Sequence, residues 1–167
     1  MYTKIEPFLT AWKYEAESTG KIMAALTDAS LATRVGPEDR TLGRIAWHVT
    51  GSLGEMMNRV GLALDGPGEN DPVPVLATQI AEAYERLAAA LGRQVKERWT
   101  DETLAQVDEM YGDKWPRGLT LEILIRHQAH HRGQMTVLMR QAGLRVPGVY
   151  GPAREEWAQF GAPAPEI

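Results

Sequence analysis

The sequence predicts an all-α protein, a four-helix bundle formed by one domain over residues 1–167, and three observations carry that expectation. Apolar residues recur at spacings of three and four in four separate stretches. Runs rich in Gly, Pro and polar residues separate those stretches, and the strict alternation of a half-buried strand is almost absent.

In the first stretch Ile5, Phe8, Leu9, Trp12, Ala16, Ile22, Met23 and Leu26 form one stripe, which predicts a helix over about 6–26. The polar segment 28–41 leads to a second helix with Leu42, Ile45, Ala46, Val49, Leu53, Met56 and Val60 on one side. Two glycines and three prolines in DGPGENDPVPV then force a loop. Leu76, Ile80, Ala83, Tyr84, Leu87, Leu91 and Val95 predict the third helix, ending near Trp99. The connection 99–118 has room for strand or extended pieces but shows no strong period. A fourth helix over 120–143 follows Pro116 and Gly118 and stops at Gly143, a residue type suited to the position just past a helix. The tail RVPGVYGPAREEWAQFGAPAPEI has room for one short helix, around 154–160, and is expected to close one end of the bundle. Trp12, Trp47 and Trp115 are core or interface residues, with core the commoner fate of a Trp at helical spacing.

Composition narrows the chemistry. The 167 residues are 44% hydrophobic and 24% charged, enough for a core without staples. With no cysteine there is no disulfide, thiolate metal site, iron–sulfur cluster or cysteine nucleophile, which leaves imidazole and carboxylate as metal ligands. A net charge of −4 without any Lys/Arg run argues against nucleic acid as a partner. Lys4, Glu6, Lys13, Glu15 and Glu17 interrupt any membrane span or leader near the N-terminus, so the expected location is the cytoplasm.

His127 and His131 stand at i and i+4 in LEILIRHQAHHRGQM and share a helix face with Leu124, Gln128, Met135 and Leu138. His130 points away from that face. His48 lies off the centre of the second helix's stripe, in a column with Thr41, Ser52, Glu55 and Arg59. If the second and fourth helices are neighbours, three neutral imidazoles can surround one divalent cation and leave a coordination position open. The residues alone leave a second reading, in which each histidine sits at the core edge with a local hydrogen bond. Glu55 and Arg59 likewise read either as a base and an anion anchor or as a surface i,i+4 ion pair. No HExxH occurs, no Glu-x-x-His pairs mark a di-iron bundle, and no P-loop, dinucleotide fingerprint or serine elbow is present.

Three segments, LGRIAWHVTGSLGEM, HQAHHRGQMTVLMRQAG and VPGVYGPAREEW, resemble the DinB/YfiT-like superfamily of damage-inducible bacterial proteins. The resemblance runs through most of the chain in order. It implies a four-helix bundle holding a divalent metal through one His of the second helix, here His48, and an HxxxH pair of the last, here His127 and His131. Arg132, Gly133 and Gln134 complete the HRGQ signature that follows the pair, and His130 gains no ligand role. The resemblance also implies a homodimer. Some members carry out thiol-dependent chemistry, such as bacillithiol S-transfer or mycothiol-dependent maleylpyruvate isomerisation, and others are labelled metal-dependent hydrolases.

The expected cofactors are therefore a divalent ion, zinc foremost with nickel or another as alternatives, and a low-molecular-weight thiol. Ligation ionises a thiol at neutral pH and supplies the nucleophile that a cysteine-free chain lacks. A small electrophile would then accept the thiol in a detoxification or stress-response step, with Glu55 or Tyr150 handling protons and Arg59 holding the cofactor. The alternatives are a hydrolase, in which the same ion activates water with Glu55 as base, and a non-enzymatic, stress-induced metal-binding module.

Overall fold

The computed structural model describes residues 1–166. Four long helices form the frame: α1 (Ile5–Ala24), α2 (Leu42–Arg59), α3 (Ala77–Arg98) and α4 (Arg117–Gln141). Each buries one face, mainly apolar in α1, α2 and α3 and mixed with Thr120, Gln128, His131 and Arg132 in α4. The faces meet in one core around Phe8, Ile22, Leu53, Met57, Ile80, Leu91, Leu121 and Leu124. α1 packs on α3 and α4, and α2 packs on α3 and α4. The expected neighbour relation of α2 and α4 is therefore met. Among the described residues no helix is long and apolar enough to cross a membrane.

Helix ends are set partly by residues far away in sequence. Thr41 caps α2 in the ordinary way, its Oγ1 accepting from the Arg44 amide at 3.1 Å. By contrast α1 is capped by Asp101, whose Oδ1 accepts from the Ile5 amide at 2.9 Å, and α3 by Asp28, whose Oδ1 accepts from the Ala77 amide at 2.7 Å. These tertiary caps place both N-termini within a residue or so of the predicted starts. α2 ends earlier than its apolar pattern, because the Leu62 amide turns back to the Met57 carbonyl at 3.0 Å and closes the helix after Arg59. The fourth helix starts at Arg117, three residues before its predicted start at Thr120, and its far end closes as expected at Gly143, with the Leu144 amide on the Met139 carbonyl.

The connection 99–118 does hold strands, as its extended pieces allowed, though their pairing was not foreseen. It contains an antiparallel hairpin, β1 (Val107–Met110) paired with β2 (Asp113–Pro116). Tyr111 and Gly112 form its two-residue turn with φ of 56° and 86°, the handedness that matches the twist of a tight hairpin. Asn-Gly is the familiar sequence for such a turn, and Tyr-Gly hides it. Only Met110 of the hairpin is buried, so no alternating pattern was available to reveal the strands.

The tail does form its short helix, Arg154–Phe160, as a 3-10 turn. It lies along α1 and α4: Tyr14 donates to the Val149 carbonyl, Tyr14 and Tyr150 stack with ring centroids 6.1 Å apart, and Arg140 pairs with Glu155. Trp12 is a core residue whose Nε1 donates to the Ala88 carbonyl at 3.0 Å, whereas Trp47 and Trp115 are half-buried against the core. Phe8 is fully buried between the Tyr2 edge and the Trp12 face. Phe8→Ala is expected to lower the unfolding free energy by about 3–5 kcal/mol through lost transfer energy and a cavity, measured by denaturant titration.

Candidate metal centre

α2 supplies His48 and α4 supplies His127 and His131, one turn apart on the face that looks toward α2. The Nε2 atom of His127 lies 3.1 Å from Nε2 of His48 and 3.1 Å from Nε2 of His131. All three ligand atoms fall within 4.8 Å of one another. Two nitrogens bound tetrahedrally to a zinc-sized ion stand roughly 3.3–3.4 Å apart, given bonds of about 2.0–2.1 Å. The two 3.1 Å pairs thus stand at close to the spacing such an ion needs, and the third pair lies within 4.8 Å.

Charge state agrees with geometry. Burial pushes the His127 imidazolium down to about 4, with further lowering by the neighbouring His131 and His48. Burial also lowers His48 and His131 from the ordinary value, in His131 against the opposing pull of Gln134. Neutral imidazole is the form that ligates, and three of them suit a divalent transition ion better than a hard cation bound through oxygens. The donor set therefore fits the ion implied by the sequence resemblance.

Gln134 decides which nitrogen of His131 is free. Its Oε1 sits 2.7 Å from His131 Nδ1 and accepts that proton, which leaves the Nε2 lone pair directed at the triad. The Gln134 amide nitrogen donates to Nε2 of the exposed His130 at 3.1 Å, so His130 props Gln134 and stands outside the triad. Buried His127 Nδ1 has no hydrogen-bond partner among the described residues. Gln134→Leu should weaken divalent-ion affinity about 10- to 100-fold with the helical content unchanged, read by competition with a chromophoric chelator.

Below the triad, buried Gln128 accepts from the Tyr84 hydroxyl at 3.0 Å and donates to the Val49 carbonyl at 3.3 Å, which ties α3, α4 and α2 together. Arg132, also buried, turns the other way. It pairs with Glu15 and donates to Thr19 Oγ1 at 2.8 Å, joining α4 to α1.

His48 and His127 open onto a cavity of about 470 Å³ along one face of α2. Trp47, Met56 and Ile123 give it apolar walls, and Arg44, Glu55, Arg59, Glu69 and Tyr111 give it a charged and polar rim. Gly51 permits the wall formed by the loop after α2, since a Cβ there would press to 3.1 Å on the Pro67 carbonyl.

The remaining residues singled out from the sequence separate. Glu55 and Arg59 line the cavity, and Arg59 Nε donates to Glu55 Oε1 at 2.6 Å. Tyr150 does not line it: its hydroxyl bonds to Glu15 and Arg132 beneath the tail. Tyr111 escaped the sequence reading altogether. It reaches the rim from the hairpin tip and donates to Glu55 Oε2 at 2.5 Å. Burial, with the Glu55 carboxylate second, raises the Tyr111 phenol above the usual tyrosine range and keeps it a donor. The one sequence signal for it was the Tyr-Gly dipeptide in a loop otherwise without pattern. Gln134 was visible as part of HRGQ, but its task was not.

Fold and site together define a class, a four-helix bundle with a triad of histidines between its second and last helices that could hold a metal ion. The chain belongs to the DinB family, which it matches over residues 1–166. It is 46% identical over 167 residues, the full length of both chains, to the uncharacterised protein YrdA of Bacillus subtilis (strain 168). A crystal structure of a DinB-like protein from Bacillus cereus ATCC 10987 superposes with a TM-score of 0.87 at 45% identity, covering 90% of this chain and 100% of that one. The DinB-like protein YjoA from Bacillus subtilis, at 14% identity, shares the fold with a TM-score of 0.67 over 88% of this chain and 99% of its own.

Proposed function

We propose that this protein is a divalent-metal-dependent enzyme that transfers a low-molecular-weight thiol to an electrophilic small molecule. The observation that carries the reading is the convergence of three neutral Nε2 atoms at a cavity in a chain without cysteine. An ion held there supplies Lewis acidity, which lets an external thiol ionise at neutral pH. The sulfur would then form a bond to the electrophilic carbon, either as a halide leaves and the thiol proton passes to solvent, or as an epoxide C–O bond opens and the new alkoxide takes up a proton from solvent in place of the one the thiol lost. The protein's own part is to hold the imidazoles neutral and oriented and to line the reacting volume with Trp47, Met56 and Ile123.

Hydrolysis is the second reading, and one feature weighs against it. Glu55, the carboxylate nearest the column of His48, stands seven residues on, roughly 10 Å along the helix axis. Both of its oxygens are already engaged, by Arg59 and by Tyr111. A general base must come within hydrogen-bond reach of the water, and these two bonds hold the Glu55 carboxylate at the rim.

The test is metal analysis of protein purified without an affinity tag, followed by conjugation of monochlorobimane with and without added thiol. Conjugation that requires thiol, scales with bound metal and disappears on chelation supports the proposal. Thiol-independent turnover of esters or amides selects the hydrolase instead. A ligand-induced rise in melting temperature without turnover of either kind selects a binding module.

A further inference from the structure

The rim cluster at Glu55, Arg59 and Tyr111 identifies the other end of the ligand. Arg59 is held on two sides. Its Nε donates to Glu55 Oε1 at 2.6 Å, and its guanidinium carbon lies 5.1 Å from the centre of the Tyr111 ring. Tyr111 is itself fixed, by its 2.5 Å bond to Glu55 Oε2 and by edge contact with Trp115 at a centroid distance of 5.6 Å. Among the described residues neither Nη nitrogen of Arg59 has a protein partner. The side chain is half-exposed on the cavity wall. A guanidinium restrained at Nε and across its face, with its outer fork unclaimed, is arranged for bidentate recognition of a carboxylate. The other charges on the wall, Arg44 and Glu69, offset one another.

The spacing adds a length. Glu55 and Arg59 follow His48 by seven and eleven residues on one face of α2, roughly 10 and 16 Å along the axis. Both side chains slant back toward the helix N-terminus, the longer arginine further, so its fork and the triad stand roughly two to three helical turns apart, ~11–16 Å. We infer that the cavity takes an elongated anionic thiol, with sulfur at the triad and a carboxylate on the Arg59 fork. Glu55 and Tyr111 serve as positioning residues for that arginine. The sulfur half of this inference rests on the thiol-transfer reading, and the carboxylate half does not.

Calorimetric binding of a matched ligand set tests both halves. On metal-loaded protein, 8-mercaptooctanoate should bind at least about tenfold more tightly than 8-mercaptooctanol or the short 3-mercaptopropionate. Arg59→Met, which keeps the apolar stem, should erase the difference between acid and alcohol. Tyr111→Phe should reduce it part of the way. Equal binding of acid and alcohol, or an Arg59→Met variant that still discriminates, overturns the inference. Octanoate, which has no sulfur, is the control on chelated protein. If it binds through Arg59 while metal adds nothing to the thiols, the anion site stands and thiol transfer falls. If metal strengthens every thiol equally whatever its far end, thiol binding stands and the anion site falls.

Discussion

His127→Ala is expected to abolish stoichiometric divalent-ion binding, weakening affinity by well over the roughly 100-fold that loss of a supporting residue costs. His127 Nε2 lies 3.1 Å from the nitrogens of both partners, so its removal takes the shared donor out of the triad and leaves only two ligands, His48 and His131, with ring centroids 4.7 Å apart. Mass spectrometry of the purified variant, with circular dichroism as the folding control, reads the result. Wild-type metal content in a folded variant would remove the triad from any metal function. The pH dependence follows from the same burial. Protons compete for the ligands only as the pH falls toward their folded values, about 4 for His127 and below the ordinary 6.5 for His48 and His131. Metal retention should therefore persist below pH 6.5 and fail toward pH 4. In the metal-free protein the unfolded chain binds more protons than the folded one across that window, so stability holds above pH 6.5 and falls as the pH drops through it. A metal-free protein with flat stability from pH 7 to 4 would contradict this assignment.

Glu15→Ala is expected to be the most destabilising of the polar substitutions, by about 3–5 kcal/mol. Arg132 and Glu15 are buried partners, at 2% and 7% exposure, so removing the carboxylate strands a guanidinium inside the bundle. For a chain of this length each kcal/mol moves the melting temperature by about 2–4 °C, which predicts a fall of roughly 6–20 °C by calorimetry. The neighbours of Arg132 also include Tyr150, whose hydroxyl bonds to Glu15 at 2.9 Å and 3.0 Å. Tyr150→Phe keeps the ion pair and should cost only about 1 kcal/mol, the net worth of a typical hydrogen bond. A Glu15→Ala loss no larger than that of Tyr150→Phe would show that Arg132 finds water or another acceptor.

The long helices were legible because each buries one stripe, and a stripe leaves a period that single residues such as Phe8, Leu53 and Leu91 report. Their ends were less so. α1 and α3 are capped by Asp101 and Asp28, residues with no sequence relation to the helices they terminate. Strand pieces were legible in the connection 99–118, but their pairing as a hairpin was hidden because the four-residue strands bury almost nothing and the turn carries Tyr where Asn is customary. Arg132 was read as a signature residue, yet its physical task is a long-range pair with Glu15 across the α1–α4 seam.

Sequence by itself determined the four amphipathic segments, the absence of any internal thiol, and the shared face of His127 and His131. All three are properties of residue type or of local helical geometry, which need no knowledge of the distant chain. Tertiary structure alone decided that α2 lies beside α4 and so brings His48 within 3.1 Å of His127. It also decided that Glu55 is bound between Arg59 and Tyr111, and that Tyr150 serves the tail and not the cavity. Those outcomes depend on how separate stripes pack and on where a hairpin tip lands, and no period along the chain encodes either.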